Sequence, residues 1–366
     1  MFPILAISDL TKDATSCYDL LNRFNSYGNH LSEKSTNPDV KLHLITKRLP
    51  TRFDIDVSDW PCLEIIQAKN YSISYLSTLF KYIYRNKDNI SILIAGNPWK
   101  DFLFVLPFKL VFKIPVQVSI HGEPYKVEPK SLFSSKAIKN YWLRISLRLA
   151  DSIRVVSDHQ ILPLISKYKV KDSRIFISPI PVDVPLVNTP NKSKNTIAFV
   201  GRLHEERDPF LWLQVIRDLY TLRQDFSVVI IGDGHLRDEI SHFLRKQLPT
   251  LDYSVVGRIS HPEVQAYWSE ISVLLSTAKE ESFGLTLREA QLAGVVVIAR
   301  RNSGTTSNSL EFGDSITLFD TTWDAVTAIV EALDNPKGEE DLSKIRLFQQ
   351  EINAKSLDKL VESWKA

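Results

Sequence analysis

Cysteine is nearly missing from this 366-residue chain, with only Cys17 and Cys62 present. The two have no metal-like spacing and no secretory context, so a reduced, cytoplasmic setting is expected rather than a disulfide scaffold. No basic segment or cleavage-like site precedes the strand-like Met1-Phe2-Pro3-Ile4, so no signal peptide is expected. Long apolar runs are also lacking. The longest, residues 102–112, is interrupted by Pro107 and Lys109. It is too short to span a bilayer and reads as a buried helix. Aromatic and basic residues do not interleave as in a nucleic-acid platform, so nucleic acid is excluded as a partner. No His/Cys cluster supplies an evident metal site, and no metal is expected. The turn Gly232-Asp233-Gly234 lacks the third glycine of a dinucleotide fingerprint and has no matching acid after it. This argues against a nicotinamide dehydrogenase, and the turn reads as structural.

What is present is a mixed-charge composition, 44% apolar and 24% charged, typical of a globular protein long enough for two domains. Net charge is uneven: residues 1–190 carry about +8 and the rest about −6. A basic first half suits an anionic acceptor or membrane surface. The basic helix expected over 136–148, with Lys126 and Lys130 nearby, is the candidate docking surface.

Strands and helices alternate throughout. Strands are expected at 4–8, 41–46, 90–95, 116–120, 153–156 and 175–178. Helices are expected at 15–27, at 71–84 with apolar Ile73, Leu76, Leu79, Phe80 and Ile83, after Asn97-Pro98, and at 136–149 with the stripe Ile138, Tyr141, Trp142, Ile145 and Leu149. Residues 184–195, rich in Pro, Asn and Lys, read as a linker. The alternation then resumes: strands at 196–200, 226–231, 253–256, 271–275 and 295–298, and helices at 209–222, 236–248, 262–269, 285–293, 323–333 and 356–364. This is the pattern of two doubly wound α/β domains. The expected division is 1–187 and 188–345, followed by 346–366 as a C-terminal helix.

The chemistry concentrates between Leu275 and Arg300. A buried strand leads into a polar loop, Phe283-Gly284 turns into a helix, Gly294 ends it, and a second strand follows. Ligands of open α/β sheets bind at the strands' carboxyl ends. The N–H groups near Phe283, Gly284 and Leu285 open a helix there, which favours an anion such as a phosphate. Gly284 permits close approach. Glu281 and Glu289 bracket the junction. After the strand at 196–200, Gly201 allows a sharp turn, and Arg202 and Arg207 can converge on a phosphate-sized anion. His121 ends another strand, where it can reach a transferred group or developing charge.

The stretch E-S-F-G-L-T-L-R-E-A-Q-L-A-G-V-V-V-I-A resembles the signature of the family-4 retaining glycosyltransferases with the GT-B fold (glycosyl transferases group 1), E-G-F-G-L-x-x-x-E-A-x-A-x-G-x-P-V-V-A. Ser282 replaces a Gly and Val296 a Pro. Val200-Gly201-Arg202-Leu203-His204-Glu205-Glu206-Arg207-Asp208 resembles V-G-R-L-x-x-E-K-G, with Arg207 for Lys and Asp208 for Gly. Ile231-Gly232-Asp233-Gly234 resembles V-G-D-G. Val256-Gly257-Arg258-Ile259 resembles the loop that contacts the nucleotide base, and Ile120-His121-Gly122 the strand-ending H-G. Ala150-Asp151-Ser152 and Pro179 to Asp183 resemble structural motifs. The loop Ser8 to Asp13 departs from the family, which has a Gly-Gly pair there. The resemblance is strong over 196–320 and weak over 1–115.

It implies a GT-B fold: two Rossmann-like doubly wound domains facing each other across a cleft, the first on the acceptor side. It implies a cytoplasmic, metal-independent, retaining glycosyltransferase with no cofactor beyond the nucleotide-diphospho-sugar co-substrate. The acceptor would be a hydroxyl, in some members lipid-linked, in cell-envelope or exopolysaccharide biosynthesis, with peripheral contact at the inner face of an anionic membrane. Arg202, Arg207 and the helix N-terminus would hold the diphosphate, Glu281 the sugar, Glu289 the ribose, Arg258 the base, and His121 the transferred sugar. The alternative, motivated by the missing Gly-Gly, is a non-catalytic GT-B-like subunit that binds a nucleotide sugar or a partner enzyme.

Overall fold

A computed structural model describes residues 1–7, 14–47, 57–68, 72–123, 135–182, 195–312, 316–335 and 339–364. The loop Ser8 to Asp13, residues 184–194 of the expected linker, Asp183, and Lys126 and Lys130 lie outside them. The chain divides into two compact units, Met1–Pro181 with Asn353–Ala366, and Val182–Ile352.

The first unit is a seven-stranded parallel sheet of β1 (Phe2–Ile7), β2 (Leu42–Lys47), β3 (Leu63–Ala68), β4 (Ile90–Ala95), β5 (Val116–Ile120), β6 (Ser152–Val155) and β7 (Ile175–Ile177), in the order β3-β2-β1-β4-β5-β6-β7. Every residue of β5 is buried. Covering on both faces is why the central strands read as unbroken apolar runs. The helices are α1 (Ala14–Lys34), α2 (Ser72–Asn86), α3 (Lys100–Phe112), α4 (Ser135–Leu149) and α5 (Ile161–Tyr168). β3 and α5 were not anticipated. β3 lies at the sheet edge and its middle residues are partly exposed, which removes the continuous apolar signal.

Three helix expectations need correction. The segment 102–112 is not wholly buried. α3 buries Phe102, Val105 and Phe108 but exposes Leu103, Leu110 and Val111. In α4 the packed face is Leu143, Ser146, Leu147 and Ala150 at helical spacing, while Ile138, Tyr141 and Leu149 of the expected stripe are exposed. The bulkiest side chains drew the sequence reading, although small Ser146 and Ala150 continue the true stripe. Similarly, α2 buries Tyr75, Leu79 and Ile83 and exposes Leu76 and Phe80.

The second unit is a six-stranded parallel sheet of β8 (Thr196–Val200), β9 (Ser227–Ile231), β10 (Asp252–Gly257), β11 (Val273–Ser276), β12 (Val296–Arg300) and β13 (Ile316–Phe319), in the order β10-β9-β8-β11-β12-β13. Its helices are α6 (Pro209–Tyr220), α7 (Arg237–Gln247), α8 (His261–Tyr267), α9 (Leu285–Leu292), α10 (Ser303–Phe312) and α11 (Thr322–Asp334). α10 and the edge strand β13 were not anticipated. The sequence SGTTSNSLEF of α10 is poor in helix formers. Its start is fixed by Asn302, whose side-chain oxygen accepts the Thr305 N–H at 3.0 Å.

The last helix, α12 (Glu339–Glu362), begins well before the expected Ser356. Its residues up to Ile352 group with the second unit and those from Asn353 with the first. Within the first unit Leu360, Val361 and Trp364 are buried against Leu21, Phe24 and Tyr27. The Trp364 indole donates to Gln117 Oε1 at 2.9 Å. Full burial of such side chains contributes roughly 1.5–3 kcal/mol each.

Candidate functional site

In the second sheet the connectivity reverses between β8 and β11. A crevice opens beside the strand ends at such a point. The loop after β8 carries Gly201, Arg202 and Arg207, and the loop after β11 carries Glu281, Phe283 and Gly284. They are tied together: the Lys279 N–H donates to the Glu206 carbonyl at 3.0 Å, and the Thr277 hydroxyl lies 2.9 Å from the carbonyls of both Arg207 and Asp208. These contacts bring Arg207 Nη1 to 2.5 Å from Glu281 Oε2. Glu281 is 12% and Arg207 31% exposed, so neither is an ordinary surface charge. Both line a crevice of about 10 Å³ with Val200, Ser276 and Thr286.

Gly201 has φ 155°, and a side chain there would meet only the Arg207 stem, at 3.9 Å. Arg207 therefore stands over an open backbone turn. Asp208, where the family has Gly, adopts the left-handed φ of 48° at the N-cap of α6. A short polar side chain tolerates that region better than most. Its carboxylate receives Arg300 Nη1 at 3.1 Å.

Arg202 behaves differently. Its side chain is 68% exposed and paired with Glu206 at 2.5 Å. The two guanidiniums are paired with different carboxylates, Arg207 with Glu281 and Arg202 with Glu206. The i,i+4 spacing supplies Arg202 with this local partner.

Gly284 caps α9 with φ 70° and provides no side-chain acceptor. The first-turn N–H groups, that of Leu285 included, thus have no intrahelical partner. A Cβ at Gly284 would lie 2.5 Å from Asn308 Nδ2. The opposite end closes as a Schellman turn: Gly294 N–H donates to Gln291 O at 3.0 Å and Val295 N–H to Ala290 O at 2.9 Å. The Phe283 side chain is buried, with the Arg288 guanidinium 4.2 Å from its ring centroid.

Arg288 is the residue that sequence reasoning missed. It is 1% exposed and donates to Phe283 O at 3.3 Å and to Asn308 Oδ1 at 2.6 Å, and it pairs with Glu311. Burial lowers its pKa, opposed by Glu311. Asn308 Nδ2 also donates to Phe283 O, at 2.9 Å. α10 thereby fixes the Glu281–Gly284 turn from behind. Gly304 allows this, since a Cβ there would lie 1.7 Å from Glu281 O.

Glu289 is buried at 5% exposure on α9, and its Oε1 lies 2.9 Å from His261 Nε2. A buried carboxylate with one imidazole partner is no solvated helix residue. His261 could not be found from sequence, since it lies on α8. Arg258 follows β10 directly and is exposed.

His121 lies in the first unit, directly after β5. It lines a cavity of about 310 Å³ with Asn97, Asp101, Arg23, Arg154 and the apolar Phe24, Ile180 and Trp364. Desolvation, then the positive charges of Arg154 and Arg23, holds its pKa below the usual histidine range. Arg154 is 4% exposed. It donates to Ser178 O at 3.0 Å, and to Pro179 O and the Tyr27 hydroxyl at 3.2 Å. Among the described residues no carboxylate forms an ion pair with it.

The sequence showed no His/Cys cluster, but the fold brings one grouping of His and Glu together. His204, Glu205 and His235 present ligand atoms all within 4.8 Å of one another. Two loops remote in sequence bring them together, so no short motif could show it.

Comparison with known proteins follows this geometry. Residues 186–345 match the family described as "Glycosyl transferases group 1". Over 184 residues the chain is 24% identical to "GalNAc-alpha-(1->4)-GalNAc-alpha-(1->3)-diNAcBac-PP-undecaprenol alpha-1,4-N-acetyl-D-galactosaminyltransferase" of Campylobacter jejuni, covering 50% of this chain and 48% of that protein. Matches to curated relatives span only 28% to 48% of those proteins' lengths. Among solved structures, sucrose-phosphate synthase from Thermosynechococcus elongatus superposes with TM-score 0.74 at 16% identity, covering 100% of this chain and 98% of that one. Alr3699/HepE of Anabaena in complex with UDP and glucose superposes with TM-score 0.68 at 12% identity, covering 100% and 97%. The fold is GT-B, with two Rossmann-like units, and the segment 186–345 of the second is similar to the glycosyl transferases group 1.

Proposed function

We propose that this protein is a retaining glycosyltransferase that moves a sugar from a nucleotide-diphospho-sugar to a hydroxyl acceptor. The observation that carries this reading is the Arg207–Glu281 pair at the β8/β11 switch point, beside the uncapped N-terminus of α9. Arg207 and the free N–H groups of α9 face charge that develops on a leaving diphosphate. Arg202, on the same loop and largely exposed, is a second cation for it. Glu281, released from Arg207 when phosphate arrives, accepts hydrogen bonds from the sugar. Glu289, oriented by His261, takes the ribose hydroxyls, and Arg258 lies toward the base. The similarity to UDP-bound and UDP-sugar-bound proteins supports a nucleotide donor.

In the transfer, the bond from sugar C1 to the phosphate oxygen breaks and a bond from C1 to the acceptor oxygen forms on the same face. The acceptor proton passes to the leaving phosphate. His121, kept neutral, donates to or accepts from a sugar hydroxyl without adding charge. The step is metal-independent in that Arg207 and the helix supply the positive potential.

On the acceptor side, the first unit's cavity holds Arg154, which forms no ion pair with a carboxylate among the described residues, together with Arg23 and Asp101 over an apolar floor. This favours an acceptor with an anionic group beside apolar atoms. Exposed Leu76, Phe80 and Tyr84 on α2 and Leu110 and Val111 on α3, in the basic half of the chain, support peripheral membrane contact and a lipid-linked acceptor. Among the described residues no helix is long and apolar enough to cross a membrane. A role in envelope polysaccharide synthesis is supported by the undecaprenol-linked glycan in the Campylobacter relative's name.

The test is a thermal-shift screen of nucleotide sugars followed by anomer-resolved NMR of the product. Stabilisation by one nucleotide sugar, with the donor's anomeric configuration kept in the product, is expected. No shift with any donor, or an inverted product, refutes the reading.

A further inference from the structure

The turn Gly232-Asp233-Gly234 presses against the loop after β8. Leu203 N–H donates to Asp233 O at 3.0 Å, and Leu236 N–H to Leu203 O at 3.3 Å. Both leucines are buried and anchor the loops. A Cβ at Gly232 would lie 1.8 Å from Gly201 O. At Gly234 it would lie 2.3 Å from Leu203 O and 2.8 Å from His204 Cδ2. The absent side chains therefore permit the contact that sets His204 beside His235. Their rings stand 84° apart in plane with centroids 4.7 Å apart, and His235 Nε2 is 2.9 Å from Glu205 Oε1.

Two imidazoles and one carboxylate thus project from a backbone already fixed by hydrogen bonds. Glu205 and His235 are exposed, so an ion has direct access and room for water ligands. Tetrahedral donors about 2.0–2.2 Å from zinc lie a little over 3 Å apart. Ligand atoms within 4.8 Å, on the exposed Glu205 and His235 and the partly buried His204, reach this by small rotations. The donor set is that of borderline ions. Imidazole favours zinc, copper and nickel over magnesium or calcium, which prefer all-oxygen sites.

We propose that His204, Glu205 and His235 form a binding site for a divalent transition ion of the zinc class, clasping the loops after β8 and β9. This is separate from the sugar-transfer reading and does not depend on it.

The test uses the full-length, tag-free protein stripped with a chelator. Cobalt(II) is added and visible absorption recorded, then zinc is titrated by calorimetry. One equivalent of cobalt should give the intense d–d bands of a low-coordinate site, displaced by zinc and not by magnesium. His204→Ala and His235→Ala should each weaken zinc binding at least tenfold, and Glu205→Gln should weaken it less. His242→Ala, on exposed α7 surface, should bind as wild type does. Metal-free melting temperatures establish that each variant folds. Zinc affinity unchanged in both His204→Ala and His235→Ala, or no stoichiometric cobalt spectrum in the wild type, overturns the site.

Discussion

Replacing Arg207 by alanine separates a phosphate-binding cation from a structural ion pair. Arg207 is 31% exposed, stands over Gly201 and meets Glu281, itself 12% exposed, at 2.5 Å. If it opposes charge growing on the diphosphate, it acts more strongly in the transition state than in the ground state. Loss of one oxyanion-type donor lowers turnover by about 10²–10³-fold, or about 2.7–4 kcal/mol. Partial exposure places Arg207 at the lower end, so a drop of about a hundredfold is expected. The same change leaves a half-buried Glu281 without its cation, which costs about 1–3 kcal/mol of stability. The double variant Arg207→Ala/Glu281→Ala should recover part of that stability and none of the turnover. Arg202→Ala removes a 68% exposed pair and should lower turnover by no more than about tenfold, since exposed pairs contribute only about 0.2–1 kcal/mol. Arg207→Lys should keep much of the activity. The assay is hydrolysis of a panel of nucleotide sugars, beginning with UDP-glucose, by steady-state kinetics on variants whose folding is checked by circular dichroism. Wild-type turnover in Arg207→Ala would refute the reasoning.

Glu289→Ala should weaken donor binding by about 1.5–3 kcal/mol for each charge-assisted hydrogen bond lost, while His261→Ala, which leaves a buried carboxylate without its partner, should weaken it less; calorimetry that shows unchanged donor affinity in Glu289→Ala removes the ribose role. Arg288→Met should lower the melting temperature and donor affinity together, because the Phe283–Gly284 turn loses its support; thermal unfolding with and without donor checks this. His43 stacks on Phe2 with ring centroids 3.7 Å apart and lies 2.6 Å from the Tyr82 hydroxyl, and desolvation, then Lys41, lowers its pKa from 6.5 to about 4. A depressed histidine pKa means the unfolded chain binds the proton first, so stability is full above about pH 6.5 and falls as pH drops toward 4; a melting profile equally steep in His43→Gln would refute this. Val111→Glu and Phe80→Glu should abolish co-sedimentation with vesicles rich in phosphatidylglycerol, and the basic helix α4 should make wild-type binding sensitive to anionic lipid; sedimentation indifferent to lipid charge or to these variants removes membrane docking.

The amino-acid sequence alone determined the alternation of parallel strands and helices. Strands such as β4 and β8 are buried on both faces, and their apolar runs are written locally. It determined the turn chemistry as well: Gly201, Gly284 and Gly294 mark backbone that other residues adopt poorly, and they stand where the chain turns. The placement of Glu281 ahead of a helix N-terminus was legible for the same reason. Tertiary structure decided which groups meet. Arg207 reaches Glu281 because β8 and β11 are neighbours in the sheet, while Arg202 stays with Glu206, one turn away. Asn308 and Gly304, which hold the turn together with Arg288 of α9, shape the site from an element whose serine- and threonine-rich sequence carries no helical signature. The edge strands β3 and β13 escaped notice because an edge is only half covered, and the faces of α2, α3 and α4 were misjudged because side-chain size is no guide to which face has a partner. The His204–Glu205–His235 cluster depends on two glycines that let separate loops touch. Backbone preference is a property of a few consecutive residues, whereas contact between distant side chains is fixed only once the sheet has ordered its strands.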